Sequence, residues 1–165
     1  MSDAVRLFFD ENIGSRIYKA LVELLNFNKT TRIETAHLVL NYHWEGQWDG
    51  SWTPKLKDEN WVVISADRGR KGARKGTPLP VVCKENDITH VLISGKLHKR
   101  QQFEKACALI EVREKLFALG SELKGSCWLL QMGSGGPAKL KRQERIMRGR
   151  PMKLGEGEST EGEAE

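Results

Sequence analysis

Residues 60–69 read NWVVISADRG. A turn-forming Asn60 leads into Trp61, Val62, Val63 and Ile64, an unbroken run of β-prone apolar side chains. A run without alternation has no face to offer water. It reads as a strand buried on both sides, as in a parallel sheet covered by helices. The stretch ends on Asp67, with Arg68 and Gly69 behind it. In open parallel sheets, ligands sit just beyond the carboxyl ends of the strands, so an acid there is a site candidate. The same grammar occurs near the start, where residues 4–9 form an apolar strand closed by Asp10, Glu11 and Asn12.

The segments around these strands alternate in character. Ser15 can cap a helix, and Ile17, Ala20, Leu21, Leu24 and Leu25 follow at helical spacing, giving an amphipathic helix to about Phe27. Residues 33–40 read as a second strand, in which a lone His37 is structural rather than a ligand. Residues 41–52 hold Tyr42, His43, Trp44, Trp48 and Trp52 among glycines and polar residues, and read as a loop. Its tryptophans either pack over the domain edge or offer bases a stacking surface, and burial is the favoured use. A short helix follows to about Glu59. Thr53 as its cap, with Pro54 at the first helical position, is a cleaner start than Asp49. Residues 80–84 form a helical turn and 90–93 a fourth strand. Residues 101–119 form the longest helix, and 127–132 a fifth strand. This alternation predicts a three-layer α/β fold with a mainly parallel sheet of about five strands, joined by right-handed crossovers. Residues 1–132 make up the folded domain. From Gly133, GSGG reads as a linker, 139–150 as a frayed basic helix and 155–165 as an acidic low-complexity end. Residues 133–165 are therefore expected to be a disordered tail.

The formal net charge of +5 conceals an asymmetry. Residues 153–165 carry one Lys and five Glu, which leaves +9 on residues 1–152. A basic body favours an anionic partner, nucleic acid above all. Cys83, Cys107 and Cys127 form no CxxC pair and no even set, which fits reduced thiols in a cytoplasmic protein. No apolar run is long enough to span a membrane. Behind Asp67, residues 68–78 read RGRKGARKGTP. Glycines admit close backbone approach, and Arg68, Arg70, Lys71, Arg74 and Lys75 suit phosphates, as does Lys96 in a second basic cluster. The spacing is not that of a Walker A loop. A merely solvated loop is the plain alternative.

Asp10 and Asp67 follow two core strands, and Asp49 precedes a helix. All three can converge on one sheet edge. Crowded carboxylates repel, and a hard divalent cation, Mg²⁺ or Mn²⁺, relieves the repulsion and can activate water for phosphodiester cleavage. On spacing alone the plainer reading is favoured, with Asp10 and Asp49 as turn or cap residues and Asp67 as a polar strand end.

LFFDENIGSRIYKAL, DGSWTPKL, NWVVISADRG and HVLISGKL, in that order, resemble the PIN-like family, compact nucleases related to the VapC-type toxins of toxin–antitoxin pairs. The resemblance runs from about Arg6 to Met132. It implies an α/β/α sandwich and metal-dependent hydrolysis of RNA, with Asp10, Asp49 and Asp67 at the family's acidic positions. It also implies a further acid, for which Glu11, Glu34 and Glu45 are candidates; Glu11 is favoured because it adjoins Asp10. The expected partners are an RNA substrate and a cognate antitoxin, with a homodimer left open. Two other readings stand beside this one. A phosphoacceptor receiver-like domain would use Asp10 with Glu11, Asp67 and Lys96. A non-catalytic PIN-like module would bind RNA or protein through a degenerate site.

Overall fold

The computed structural model describes residues 4–27, 32–66, 77–121 and 124–144. Five strands run parallel: β1 (Val5–Phe9), β2 (Ile33–His37), β3 (Trp61–Ser65), β4 (Thr89–Ile93) and β5 (Cys127–Gly133). A sixth strand, β6 (Gly136–Gln143), runs antiparallel to β5, and the sheet order is β2-β1-β3-β4-β5-β6.

Alternation along the strands builds two cores. Leu7 and Phe9 of β1, Val62 and Ile64 of β3, and Val91 and Ile93 of β4 face one way. There they meet α1 (Ser15–Asn26), through Tyr18, Leu21 and Leu25, and a later helix pair. Phe8, Trp61 and Val63 face the other way, with Ala36 of β2. They meet α2 (Leu38–Tyr42), α3 (Asp49–Trp52), a 3₁₀ turn Thr53–Leu56, and α4 (Leu79–Glu85) through Leu38, Trp52, Leu56, Leu79 and Cys83. After α5 (Gly95–His98), the pair α6 (Gln102–Glu111) and α7 (Arg113–Leu119) closes the first face with Ala106, Leu109, Leu116 and Leu119. The result is the three-layer α/β/α arrangement, with β3 buried along its whole length because both cores press on it. The chain leaves β1 through α1 to β2 on one side, then returns past β1 to β3 on the other. The crevice of an open sheet lies where the order reverses in this way, here between β1 and β3.

Several expectations are corrected. Residues 133–143 are no linker or tail: they complete the sheet, so the folded domain does not end at Met132. Ala138 and Leu140 point inward while Lys139 and Lys141 point out, and the Ala138 amide donates to Glu111 at 2.6 Å. The glycines make the hairpin turn: Gly135 has φ +70°, and a Cβ on Gly133 would meet the Pro137 carbonyl at 2.6 Å. Residues 145–165 lie outside the described residues. The second strand stops at His37, whose ring Nδ1 accepts from the amides of Val39 and Leu40 and so starts α2, while Nε2 contacts the Ile13 carbonyl at 2.7 Å. The long helix breaks at Val112 (φ −99°, ψ 8°), which lets α7 turn its own apolar side inward. Thr53 does not cap a helix. Its hydroxyl donates back to the Asp49 carbonyl at 2.6 Å, joining α3 to the 3₁₀ turn in which Pro54 sits near the start. Among the described residues, no helix is long and apolar enough to cross a membrane.

Candidate functional site

β1 ends by delivering Asp10 to the β1/β3 crevice. The Asp10 amide donates to the Ile64 carbonyl at 3.0 Å, which continues the ladder one step past the strand. The side chain turns inward and is only 5% exposed. A buried carboxylate needs donors. Oδ1 accepts from the Glu11 amide and Oδ2 from Asn12 Nδ2, each at 2.7 Å. The other end of the Asn12 amide, Oδ1, accepts from the Ala66 amide at 2.7 Å. Asn12 therefore clamps the end of β3 to Asp10, at the residue immediately before Asp67. In the sequence Asn12 has only a place in the acidic turn. Its position two residues after the acid was the sole local signal, and its partner lies across the sheet.

Asp49 is the first residue of α3 and half-buried. Its charge and that of Asp10 both reach one buried group. The buried thiol of Cys83 on α4 is pushed well above its usual range by burial first, and then by the charges of Asp49 and Asp10. Two carboxylates from different elements thus act on one buried atom. Glu11 is exposed, and its Oε2 accepts from the Gly46 amide at 3.3 Å, which draws the aromatic loop toward the β1 turn. Glu45 is exposed in that same loop. Glu34 is held elsewhere, paired with Arg6 at 2.8 Å near the amino ends of the strands. Lys96 is exposed on α5, directly beyond the carboxyl end of β4. Asp67, Arg68, Arg70, Lys71, Arg74 and Lys75 lie outside the described residues. Among the described residues, no group of three or more His, Cys, Asp or Glu side chains is placed to hold a metal ion.

A second polar group lies beneath the crevice. Ser65, the last residue of β3, contacts His90 Nε2 at 2.8 Å, and the Cys127 thiol approaches His90 Nδ1 at 3.9 Å. Burial pushes the His90 pKa down to about 3, so the ring is neutral and serves as a hydrogen-bonding spacer between β3, β4 and β5.

The arrangement can place hard oxygen ligands and an anion-binding edge at the crevice of an α/β sheet. No curated protein and no solved structure gives a significant match to the chain. Residues 5–75, the span that carries Asp10, Asp49 and Asp67, match the family described as "PIN like domain", which supports a PIN-like domain in this chain.

Proposed function

We propose that the chain is a metal-dependent endoribonuclease in which Asp10, Asp49 and Asp67 hold Mg²⁺ or Mn²⁺, with Glu11 beside them. The observation that carries this reading is the Asn12 clamp. It fixes a buried Asp10 carboxylate at the β1/β3 crevice, one residue away from Asp67 along the backbone it grips. Carboxylate oxygens are the donors these hard cations prefer, so the residues fit the ion. A bound ion would polarise water for attack and neutralise charge at the scissile phosphate. Asn12 keeps Asp10 turned into the crevice, and Glu11 holds the aromatic loop beside it. Lys96 and the basic residues of 68–75 bind the backbone phosphates on either side. The role as the toxin half of a toxin–antitoxin pair belongs to the same proposal and rests on the resemblance to that family.

Incubating the full chain with mixed structured RNAs tests this. Cleavage is expected with Mg²⁺ or Mn²⁺, none with EDTA, and none from Asp67→Asn. Asn12→Asp, which sets a carboxylate against Asp10, should lose about 10–100-fold. Asp67→Asn should melt no lower than wild type in EDTA, because it removes a like charge, and should gain less stability from added metal. Cleavage that persists in EDTA sinks the mechanism.

One observation favours a second reading. The order β2-β1-β3-β4-β5 is also the flavodoxin-like order, which suits the phosphoacceptor alternative. Acetyl phosphate separates the two: a receiver gains a phosphoryl group on Asp67 and a nuclease does not.

A further inference from the structure

Three tryptophans flank Asp49 in the chain, and the fold treats each one differently. Trp52 is sealed from solvent and stacks on Phe8, with ring centroids 5.3 Å apart. Trp44 is half-buried, stacked on Tyr42 at 4.3 Å, with the Lys55 ammonium 4.8 Å from its centroid. Trp48 is 56% exposed and belongs to neither core.

Exposure alone would be ordinary, but Trp48 is also seated. A Cβ on Gly50 would fall 2.6 Å from Cη2 and Cζ2 of the Trp48 ring and 2.8 Å from Cζ3. The benzo edge therefore lies against the Gly50 backbone, and a Cβ there would displace it from this position. The backbone of Trp48 is pinned as well. Its carbonyl accepts from the Ser51 amide at 2.8 Å and from the Ser51 hydroxyl at 2.6 Å. The outcome is an indole supported on one side and open to water on another, immediately before Asp49. A ring held in place yet left wet gains little for the fold. It is pre-ordered for a flat apolar ligand, which need not bear the cost of fixing it.

We propose that Trp48 is a stacking platform for an unpaired nucleobase next to the scissile phosphate. Such a platform accepts a base only where its face is open, as in single strands and loops. This role rests on the reading of the Asp10–Asp49–Asp67 edge as an RNA-cleaving site. The basic body supplies the anionic partner, and the platform supplies the selection. A base in a duplex has both faces covered by its neighbours, and A-form grooves do not open them to a side chain. Stacking of a base on an aromatic ring tolerates any base, so preference for unpaired strands is expected without strict sequence readout.

The test is fluorescence anisotropy in EDTA, so that binding is read without cleavage. The probes are a fluorescein-labelled unstructured RNA 12-mer and the matching blunt duplex, both added to the full chain. Trp48→Ala should weaken single-strand binding about 10-fold, leave duplex binding within two-fold and keep the far-UV circular dichroism. Trp48→Phe should keep most of the affinity. Gly50→Ala, which pushes the ring off its seat while Trp48 remains, should fall with Trp48→Ala. Unchanged single-strand affinity in Trp48→Ala, or an equal loss on both RNAs, overturns the platform and points to a protein contact instead. If wild type cleaves RNA and that result is found, only the platform fails. If wild type binds neither RNA, the ribonuclease reading fails and the platform with it.

Discussion

His90 shows how a single residue sets an acid limit on this fold. Buried against Ser65 and Cys127, it stays neutral down to a pH of about 3, whereas unfolded histidine titrates near 6.5. Above pH 6.5 neither state binds the proton, and the stability is fully present. Below it only the unfolded state binds the proton, so stability falls by about 1.4 kcal/mol per pH unit down to about 3. By pH 4.5 this group alone should remove about 2–3 kcal/mol. Urea unfolding at pH 7 and pH 4.5 checks this. His90→Gln keeps an amide nitrogen for Ser65 but does not titrate, so it should lose distinctly less stability between the two. An equal loss in both proteins would mean that the burial of His90 does not govern the acid limit.

At the level of elements, β6 is the clearest test of what holds the sheet. Ending the chain at Met132 removes its ladder with β5, the buried Ala138 and Leu140, and the partner of Glu111. That truncation should cost at least about 3 kcal/mol and broaden the melt, whereas ending at Glu144 should leave the melt intact. Urea curves of the two chains decide it, and a cooperative, unshifted melt for the shorter one would refute the role of β6. The same strand shows why part of the fold could not be read from sequence. β1 and β3 were legible because Leu7–Phe9 and Trp61–Ile64 are apolar runs with little else they could become. Ala138-Lys139-Leu140-Lys141 does alternate, but its lysines and the preceding glycines look like a tail unless a partner strand is known. The start of α2 was hidden because a histidine ring replaces the usual small polar cap. At the site, Asp10 followed from the strand pattern. The grip of Asn12 on Ala66 and the seat of Trp48 on Gly50 are made by folding, and no spacing announces them.

On the scale of the molecule, basic residues follow two neighbouring strands of the sheet in the chain. Lys96, Lys99 and Arg100 follow β4 at the carboxyl end of the sheet, the end where the segment carrying Arg70, Lys71, Arg74 and Lys75 leaves β3. If these residues meet phosphates, RNA affinity depends on released counterions. Neutralising Arg70, Lys71, Arg74 and Lys75 together should then lower the slope of log K against log salt by about 2–3 for a single strand. Affinity titrations between low and moderate salt measure the slope, and an unchanged value would mark this segment as merely solvated.

The hairpin of β5 and β6 also has a consequence during synthesis. β6 is the last strand of the sheet to leave the ribosome, and until it does, the outer edge of β5 presents bare amides and carbonyls. Bare edges pair with whatever strand is near, including another nascent chain. The eight residues of β6 take about 0.4–1.6 s to translate, so the dangerous interval is short in normal synthesis. A pause in synthesis after β5 has emerged, but before β6 has, would prolong it. Once β6 is in place, the outward Lys139 and Lys141 make the new edge a poor template, since charged side chains there discourage further pairing.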